Sequence, residues 1–298
     1  MPQLQHTRTV RWAAAASWLL VAGLTGCGQA TSAPSEDGGS GGFEPGDVTP
    51  VVLRLDAGPV ELAPWTYCLG NGCADGAPPD ELPDVGDPTE VAFTFDRAGW
   101  DFTATFRERV DACARMITVP VERTADRAFV IRPAGLSGDW DVDVSGRGDG
   151  GDVITTFRWH TPVDGQMPDP ASGSVAVLAD HDGVLDSYGV ELFLSNLARQ
   201  PREAEAVITV TGTDGRTATI TPHRSQGCYS AGEVGWRASR STGLAATRIG
   251  EGPFGYSVEV TLDGRRYVGT GTWPDRETED FAPHVRLTWE PQLPSYTG

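Results

Sequence analysis

The amino-acid sequence predicts an all-β chain made of two tandem β-sandwiches, and three observations support this prediction. Apolar and polar residues alternate strictly over short segments, 37 glycines and 22 prolines supply frequent turns, and one strand pattern occurs twice. Alternation with period two places one face of each strand in a core. Short strands separated by turn residues are typical of antiparallel sandwiches.

The strand pattern begins directly after residue 50 and continues through four early segments. In each of them an apolar residue occupies every second position. These positions are Val51, Leu53 and Leu55; Val91, Phe93 and Phe95; Phe102, Ala104 and Phe106; and Ile117, Val119 and Val121. Two further segments, 107–116 and 192–199, are candidates for short helices.

An internal repeat organises the later part of the chain. A strand with one aromatic residue and two valines leads through a turn to a tryptophan, first as Trp140, Val142, Val144 and Trp159, then as Tyr256, Val258, Val260 and Trp273. The offset is 116 residues at the first aromatic and 114 at the last tryptophan. That period fits one immunoglobulin-like sandwich of about 100 residues.

The second copy of the repeat contains a strong hairpin signal. Asp263 and Gly264 lie between alternating apolar residues, which is typical of a two-residue β-turn. We therefore expect Val260 to pair with Tyr267, and Val258 with Gly269.

The first 27 residues have the pattern of an export signal. Arg8 and Arg11 precede an uncharged, mostly apolar run over 12–25, which is shorter than the roughly 20 residues of a bilayer-spanning helix. The run ends in the tetrapeptide Leu-Thr-Gly-Cys at 24–27, which resembles the lipobox of bacterial lipoprotein precursors. The resemblance implies that Cys27 receives a diacylglyceryl group and becomes the first residue, with acyl chains such as palmitate as the anchor.

The segments after Cys27 differ in composition. The tract 28–50 is rich in Gly, Ser, Pro, Thr and acidic residues, so we expect a flexible tether. Three prolines within 161–170 indicate a linker. The predicted organisation is a lipoprotein signal peptide at 1–26, lipidated Cys27 with a disordered linker at 27–48, a first sandwich at 49–163, a linker at 164–170, a second sandwich at 171–292 and a tail at 293–298.

Charge excludes several partners and chemistries. All 23 basic residues are arginine, so the chain has no Walker A lysine and no Schiff-base lysine. The 21 arginines and 41 acidic residues after residue 27 give that part a net charge of −20. Because this field repels phosphate backbones and anionic lipid, we expect no nucleic-acid partner and a covalent route to the lipid bilayer.

Four cysteines follow Cys27, and export would place them in an oxidising compartment where disulfides are the default. A Gly-Asn-Gly turn between Cys68 and Cys73 brings their Cα atoms into bonding range, which favours this pair. Cys113 and Cys228 then pair by elimination, although four cysteines allow three pairings that the sequence cannot distinguish. A metal site is the alternative, which the oxidising compartment disfavours.

An acidic loop around Gly183 is a candidate calcium site. Asp180, Asp182 and Asp186 supply three carboxylates within seven residues. Both terminal ligand positions of an EF-hand loop lack a carboxylate, so this is no EF-hand. The alternative is an ordinary turn with Gly183 at positive φ.

A second acidic group follows one strand of the first sandwich. Asp139, Asp141 and Asp143 share its outer face at intervals of about 6.6 Å, too far apart to bind one ion. Arg158 lies on the opposing segment and is expected to neutralise part of the row. We interpret the row as a solvated acidic face.

Aromatic residues supply the candidate ligand-binding surface, because a flat ring can cover the apolar face of a sugar. Three tryptophans follow the buried parity of their strands and are expected in the core: Trp140, Trp159 and Trp273. Four aromatic residues near turns are the better surface candidates: Trp65, Tyr67, Trp100 and Trp236.

The sequence contains no motif for a familiar catalytic mechanism. It has no His-Glu-x-x-His zinc motif and, without lysine, no Walker A phosphate loop. It therefore predicts a non-catalytic lipoprotein at the extracytoplasmic face of the cell membrane, with a binding, docking or structural role toward an envelope protein or glycan. No cofactor is expected beyond the candidate calcium. The alternatives are an envelope-modifying hydrolase that uses acidic residues and a carbohydrate-binding module that uses exposed aromatics.

Overall fold

The computed structural model describes residues 48–70, 72–110, 113–274 and 283–296. Over these ranges the chain forms two tandem immunoglobulin-like β-sandwiches with separate hydrophobic cores, which confirms the predicted fold class. The predicted signal peptide, Cys27 and the tether up to residue 47 lie outside the described residues.

The first sandwich consists of two antiparallel sheets. Its strands are β1 (Val51–Leu55), β2 (Gly58–Leu62), β3 (Thr66–Leu69), β4 (Gly72–Ala74), β5 (Val91–Phe95), β6 (Asp101–Glu108), β7 (Met116–Pro120), β8 (Glu122–Ala125), β9 (Ala128–Ile131), β10 (Gly138–Gly148) and β11 (Gly151–Thr161). One sheet has the order β2-β1-β5-β9-β8, and the other has the order β4-β3-β11-β10-β6-β7.

The inward side chains of these two sheets form one core. Phe93 from β5 stacks on Phe129 from β9, with 5.0 Å between the ring centroids. Phe102 from the opposite sheet meets Phe129 edge-on at 4.7 Å, so aromatic contacts join the two sheets. The strict alternation of the sequence produces this arrangement, because every second side chain of a strand points to the same face.

The second sandwich repeats this plan and adds a separate hairpin. Its strands are β12 (Ser172–Ala176), β13 (Ala179–His181), β14 (Val184–Asp186), β15 (Val190–Ser195), β16 (Ala204–Thr211), β17 (Thr217–Ile220), β18 (His223–Arg224), β19 (Val234–Ala238), β20 (Phe254–Leu262), β21 (Arg265–Trp273), β22 (His284–Arg286) and β23 (Thr288–Glu290). Its sheets have the orders β18-β19-β15-β12-β22 and β17-β16-β20-β21-β23, while β13 and β14 pair only with each other.

The predicted repeat corresponds to the central hairpins β10–β11 and β20–β21. Val260 pairs with Tyr267 and Val258 with Gly269, as expected. Asp263 and Gly264 both have positive φ, at 48° and 81°, which the Asp-Gly turn of this hairpin tolerates.

The register of the two hairpins corrects the offset read from the sequence. Trp140 lies opposite Trp159, whereas Phe254, rather than Tyr256, lies opposite Trp273. The equivalent of Trp140 is therefore Phe254, and the offset is 114 residues at both ends of the hairpin. The repeat read from the sequence aligned Trp140 with Tyr256 instead. Both Phe254 and Tyr256 are aromatic and lie on the same face of one strand, so alternation alone does not distinguish them.

Both predicted helices are wrong over the residues that the structure describes. Arg107 and Glu108 continue β6, Met116 begins β7, and 192–195 belong to β15. Pairing with neighbouring strands overrides the weak helical signal of these segments. The α-helix in the described residues is instead α1 (Arg240–Ala246), and the side chain of Ser239 accepts a hydrogen bond from the Thr242 amide at its start. With seven residues and an internal glycine, α1 has little apolar periodicity to reveal it.

Candidate functional site

Two of the four candidate ligand-binding aromatics are buried, which corrects their expected surface position. Trp100 is 2% exposed and Trp236 is 1% exposed. Trp100 lies against Phe95 with 4.8 Å between ring centroids, and Trp236 faces inward from β19 opposite Leu192. Proximity to a turn is a poor guide to exposure, because a residue near a turn still follows the inward or outward parity of the adjoining strand.

The other two candidate aromatics are partly buried at the edge of the first sandwich. The indole Nε1 of Trp65 donates to Thr156 Oγ1 at 2.9 Å. Tyr67 packs against the core of the first sandwich. Hydrogen bonding and packing thus fix both side chains to the protein.

The three carboxylates of the candidate calcium loop make separate contacts. Asp180 Oδ1 accepts a hydrogen bond from the Gly183 amide at 2.7 Å, and Asp186 accepts two from Arg240 Nη2, at 2.9 and 2.8 Å. The Ser187 amide and then the Arg240 guanidinium lower the pKa of Asp186. Gly183 has φ 79°, as expected for the alternative turn. In the described part of the chain no three His, Cys, Asp or Glu side chains are grouped to hold a metal ion.

The acidic row on β10 is largely compensated by basic side chains. Arg158 lies 3.7 Å from Asp141, as the sequence predicted, and Arg107 lies 3.7 Å from Asp143. Asp139 contacts His160 Nδ1 at 2.8 Å. On the outer face of this sheet, acidic side chains therefore alternate with basic ones on the neighbouring strands.

The predicted disulfide bonds are present, and one of them joins the sandwiches. Cys68 pairs with Cys73 across β3 and β4, and Cys113 pairs with Cys228, 115 residues later. Cys113 lies just before β7 of the first sandwich, and Cys228 lies in the loop between β18 and β19 of the second. The second bond is therefore a covalent link between the sandwiches.

Hydrogen bonds extend this link in both directions. The Ala231 amide donates to the Ala114 carbonyl at 3.0 Å, and the Met116 amide donates to Ser230 Oγ at 2.9 Å. The chain around Cys113 thus lies alongside the chain around Cys228.

Arg115 is the central side chain of the contact between the two sandwiches. It is 5% exposed, and its Nη2 donates to the carbonyls of Leu197 and Ala198 in the second sandwich, at 3.0 and 3.3 Å. Its guanidinium carbon lies 3.9 Å from the ring centroid of Tyr296. Burial lowers the pKa of Arg115, although an arginine with so high an ordinary pKa stays charged.

The C-terminal segment contacts both sandwiches around Arg115. Leu293 is buried in the core of the second sandwich, and the Tyr296 amide donates to the Asn196 carbonyl at 3.0 Å. The Tyr296 ring packs against the core of the first sandwich, and its hydroxyl accepts from the Leu136 amide at 3.4 Å. Burial raises the pKa of Tyr296. This segment, residues 293–296, therefore forms a strap across the contact between the two sandwiches.

The segment between the two sandwiches is also attached to the first of them. The Gly165 and Gln166 amides donate to the carbonyls of Gly135 and Pro133, at 2.8 and 2.9 Å. A Cβ atom on Gly165 would lie 1.8 Å from the Pro133 carbonyl oxygen, so only glycine fits here. The start of the predicted linker thus follows a defined path.

Together these contacts define a candidate functional site that sequence reasoning missed, which we call the junction. It comprises the Cys113–Cys228 bond, Arg115, the strap at 293–296 and the segment 163–166. Arg115 and Tyr296 are 181 positions apart, and no local pattern links them. The one available signal was that Arg115 is two residues from a cysteine predicted to pair across the chain.

Glu233 gives the junction a pH dependence that can be measured. Burial raises its pKa, and attraction to Arg115 opposes this only in part. The stability contributed by this group is therefore present below the ordinary carboxyl pKa of 4.5 and is lost as pH rises through the raised value. We expect Glu233→Gln to gain melting temperature relative to the wild type as pH rises from about 4 to about 7.

The matched control is Glu205→Gln, which changes an exposed glutamate on β16. It should change stability by no more than about 0.5 kcal/mol, with no trend over the same pH range. A difference between Glu233→Gln and the wild type that stays constant or shrinks with rising pH would contradict the assigned burial effect.

Comparisons with known proteins assign no family to this arrangement. No protein-family model matches the chain, and no curated protein matches it. Among solved structures, the crystal structure of chicken CNTN1 FN1-FN3 domains matches 73% of this chain and 86% of its own, at 12% identity and a TM-score of 0.19. In the described ranges, no helix has the length and apolar character needed to cross a membrane.

Proposed function

We propose that this chain is a lipid-anchored protein of the extracytoplasmic face of the cell membrane, with a non-catalytic docking role. The observation that carries the docking role is the junction, which links two sandwiches by a disulfide, a buried arginine and a C-terminal strap. A surface assembled in advance binds with a smaller loss of conformational entropy than one ordered on binding. A junction with these contacts supports a role in which both sandwiches face a partner together.

The sequence supports the location in this proposal. The lipobox-like tetrapeptide at 24–27 supplies a thiol for lipid, and a disulfide between distant cysteines suits an oxidising compartment. The net charge of −20 after residue 27 disfavours electrostatic adhesion to anionic lipid. Under this proposal, attachment therefore depends on the acyl chains alone.

Replacement of Cys27 tests the anchor directly. In cells fed radiolabelled palmitate, the wild type should carry label and remain in the membrane fraction, and Cys27→Ser should lose both properties because it lacks the lipidated thiol. Cys73→Ser is the matched control, since it removes a different cysteine and should keep the label. Label that persists in Cys27→Ser, or that is missing from the wild type, would refute the anchor.

A further inference from the structure

The acidic loop around Gly183 forms a small hairpin outside both sheets of the second sandwich. We call residues 179–188 the finger; it contains β13, β14 and the following turn, and it connects β12 to β15. Asp182 and Gly183 form its two-residue turn with φ of 54° and 79°. A two-stranded ribbon of this size is only marginally stable alone, so its order depends on contacts at its base.

The helix α1 fixes the base of the finger. Arg240 from α1 makes two hydrogen bonds to Asp186, and its Nε donates to the Ser187 carbonyl at 2.9 Å. Ser187 is fully buried, and a Cβ atom on Gly243 of α1 would lie 1.9 Å from its hydroxyl oxygen. The helix and the base of the finger therefore pack in direct contact, which sets the direction of the hairpin.

The finger exposes an apolar patch on the surface of the second sandwich. Val184 is 65% exposed and Tyr188 is 59% exposed, the two highest values among the exposed large hydrophobic residues in the described ranges. His181 lies opposite Val184 in the hairpin, so these side chains share a face. His181 Nδ1 is also 3.1 Å from the Tyr188 hydroxyl. We call these three side chains the finger patch.

We propose that the finger patch docks into an apolar pocket with a cationic rim on a folded envelope protein. Tyrosine is favoured in such contacts because it buries a large rigid area and keeps a polar tip. The tip also carries the exposed carboxylates Asp180 and Asp182, of which Asp182 lies 3.9 Å from His181 Nε2, while Asp186 is paired with Arg240. The nearby cation Arg237 lies 3.5 Å from Glu191, so it adds little positive charge. The inference refines the proposed docking role. It rests on the proposed extracytoplasmic location of the chain, but it does not require the lipid anchor.

The charge of the chain decides between a protein and a lipid surface as the occupant. A net charge of −20 after residue 27 repels anionic lipid and accelerates association with a cationic surface. An apolar patch with an acidic tip is therefore suited to a basic protein pocket rather than to a bilayer.

Photo-cross-linking in the native envelope tests this surface. A benzophenone amino acid replaces Tyr188 in the full-length chain, and the control carries it at Val207, an exposed valine on β16. We expect a discrete protein adduct from position 188 that falls about tenfold with Asp180→Arg plus Asp182→Arg, because reversed charges repel a cationic rim. The adduct should also fall with added salt and be absent at position 207.

A second measurement keeps the inference separate from the anchor and from folding. A competitor fragment of residues 48–298 with the wild-type finger patch should suppress the adduct formed by the full-length chain. The same fragment with Val184→Ser plus Tyr188→Ser should lose this ability but retain its melting temperature, because both changes affect exposed side chains. The same fragment, residues 48–298, is also mixed with vesicles of phosphatidylglycerol. No adduct at 188, equal adducts at 188 and 207, no effect of charge reversal, or vesicle binding through the finger patch would each overturn the proposal. The competitor fragment lacks Cys27 and needs no lipid. Suppression of the adduct can therefore be measured even if the lipid anchor proposed for the full-length chain proves wrong.

Discussion

Removing the disulfide bond between the sandwiches is expected to lower the free energy of unfolding by about 5 kcal/mol. The double variant is Cys113→Ser plus Cys228→Ser, which opens a loop that spans 115 residues. A crosslink over so long a loop strongly restricts the unfolded chain, and it also keeps Arg115 next to its acceptors in the folded state. Urea titration of the oxidised protein, followed by tryptophan fluorescence, measures the change.

The other disulfide is the matched control for this prediction. Cys68→Ser plus Cys73→Ser opens a loop that spans only five residues, so the same relation gives a loss of about 2 kcal/mol. The long-loop variant should therefore lose clearly more stability than the short-loop variant. Equal losses, or a smaller loss for the Cys113–Cys228 pair, would show that this bond does not constrain the junction.

Replacing Arg115 with leucine is expected to lower the free energy of unfolding by about 3 kcal/mol. Leucine keeps apolar volume at the site, but it removes the donor to the Leu197 and Ala198 carbonyls and the cation above Tyr296. Buried acceptors that lose a charged donor are costly because no water replaces it. The loss of stability is measured by urea titration with the disulfide bonds intact.

Two controls separate this effect from the general loss of an arginine. Arg115→Lys retains the charge but loses the planar guanidinium, so its stability should fall between the wild type and Arg115→Leu. Arg216→Leu removes an exposed ion pair with Asp214 and should cost less than about 1 kcal/mol. If Arg115→Leu costs no more than Arg216→Leu, Arg115 does not secure the junction.

Hydrogen exchange supplies a readout specific to the junction. The Leu136 amide donates to the Tyr296 hydroxyl, so its exchange should accelerate in Arg115→Leu if the strap loosens. The Val258 amide in the core of the second sandwich should be far less affected. Acceleration confined to the strap and its contacts would assign Arg115 a positioning role.

Local patterns predicted much of the secondary structure and several contacts. Alternation identified strands such as β5 and β6, and the Asp-Gly turn set the register that pairs Val260 with Tyr267. Strand parity alone placed Arg158 against the acidic row, where it lies next to Asp141. These features were accessible because a strand's side-chain period and a two-residue turn are properties of neighbouring residues.

Contacts between distant segments account for what the sequence did not reveal. Trp100 and Trp236 adjoin turns in the sequence but fill the two cores, and parts of the two segments predicted as helices, 107–108 and 192–195, pair as strands instead. Arg115 meets Tyr296 only in the folded chain, because the two residues are 181 positions apart in the sequence. Local order depends on residues a few positions apart, whereas burial, the junction and the finger patch depend on which surfaces meet after the chain has folded.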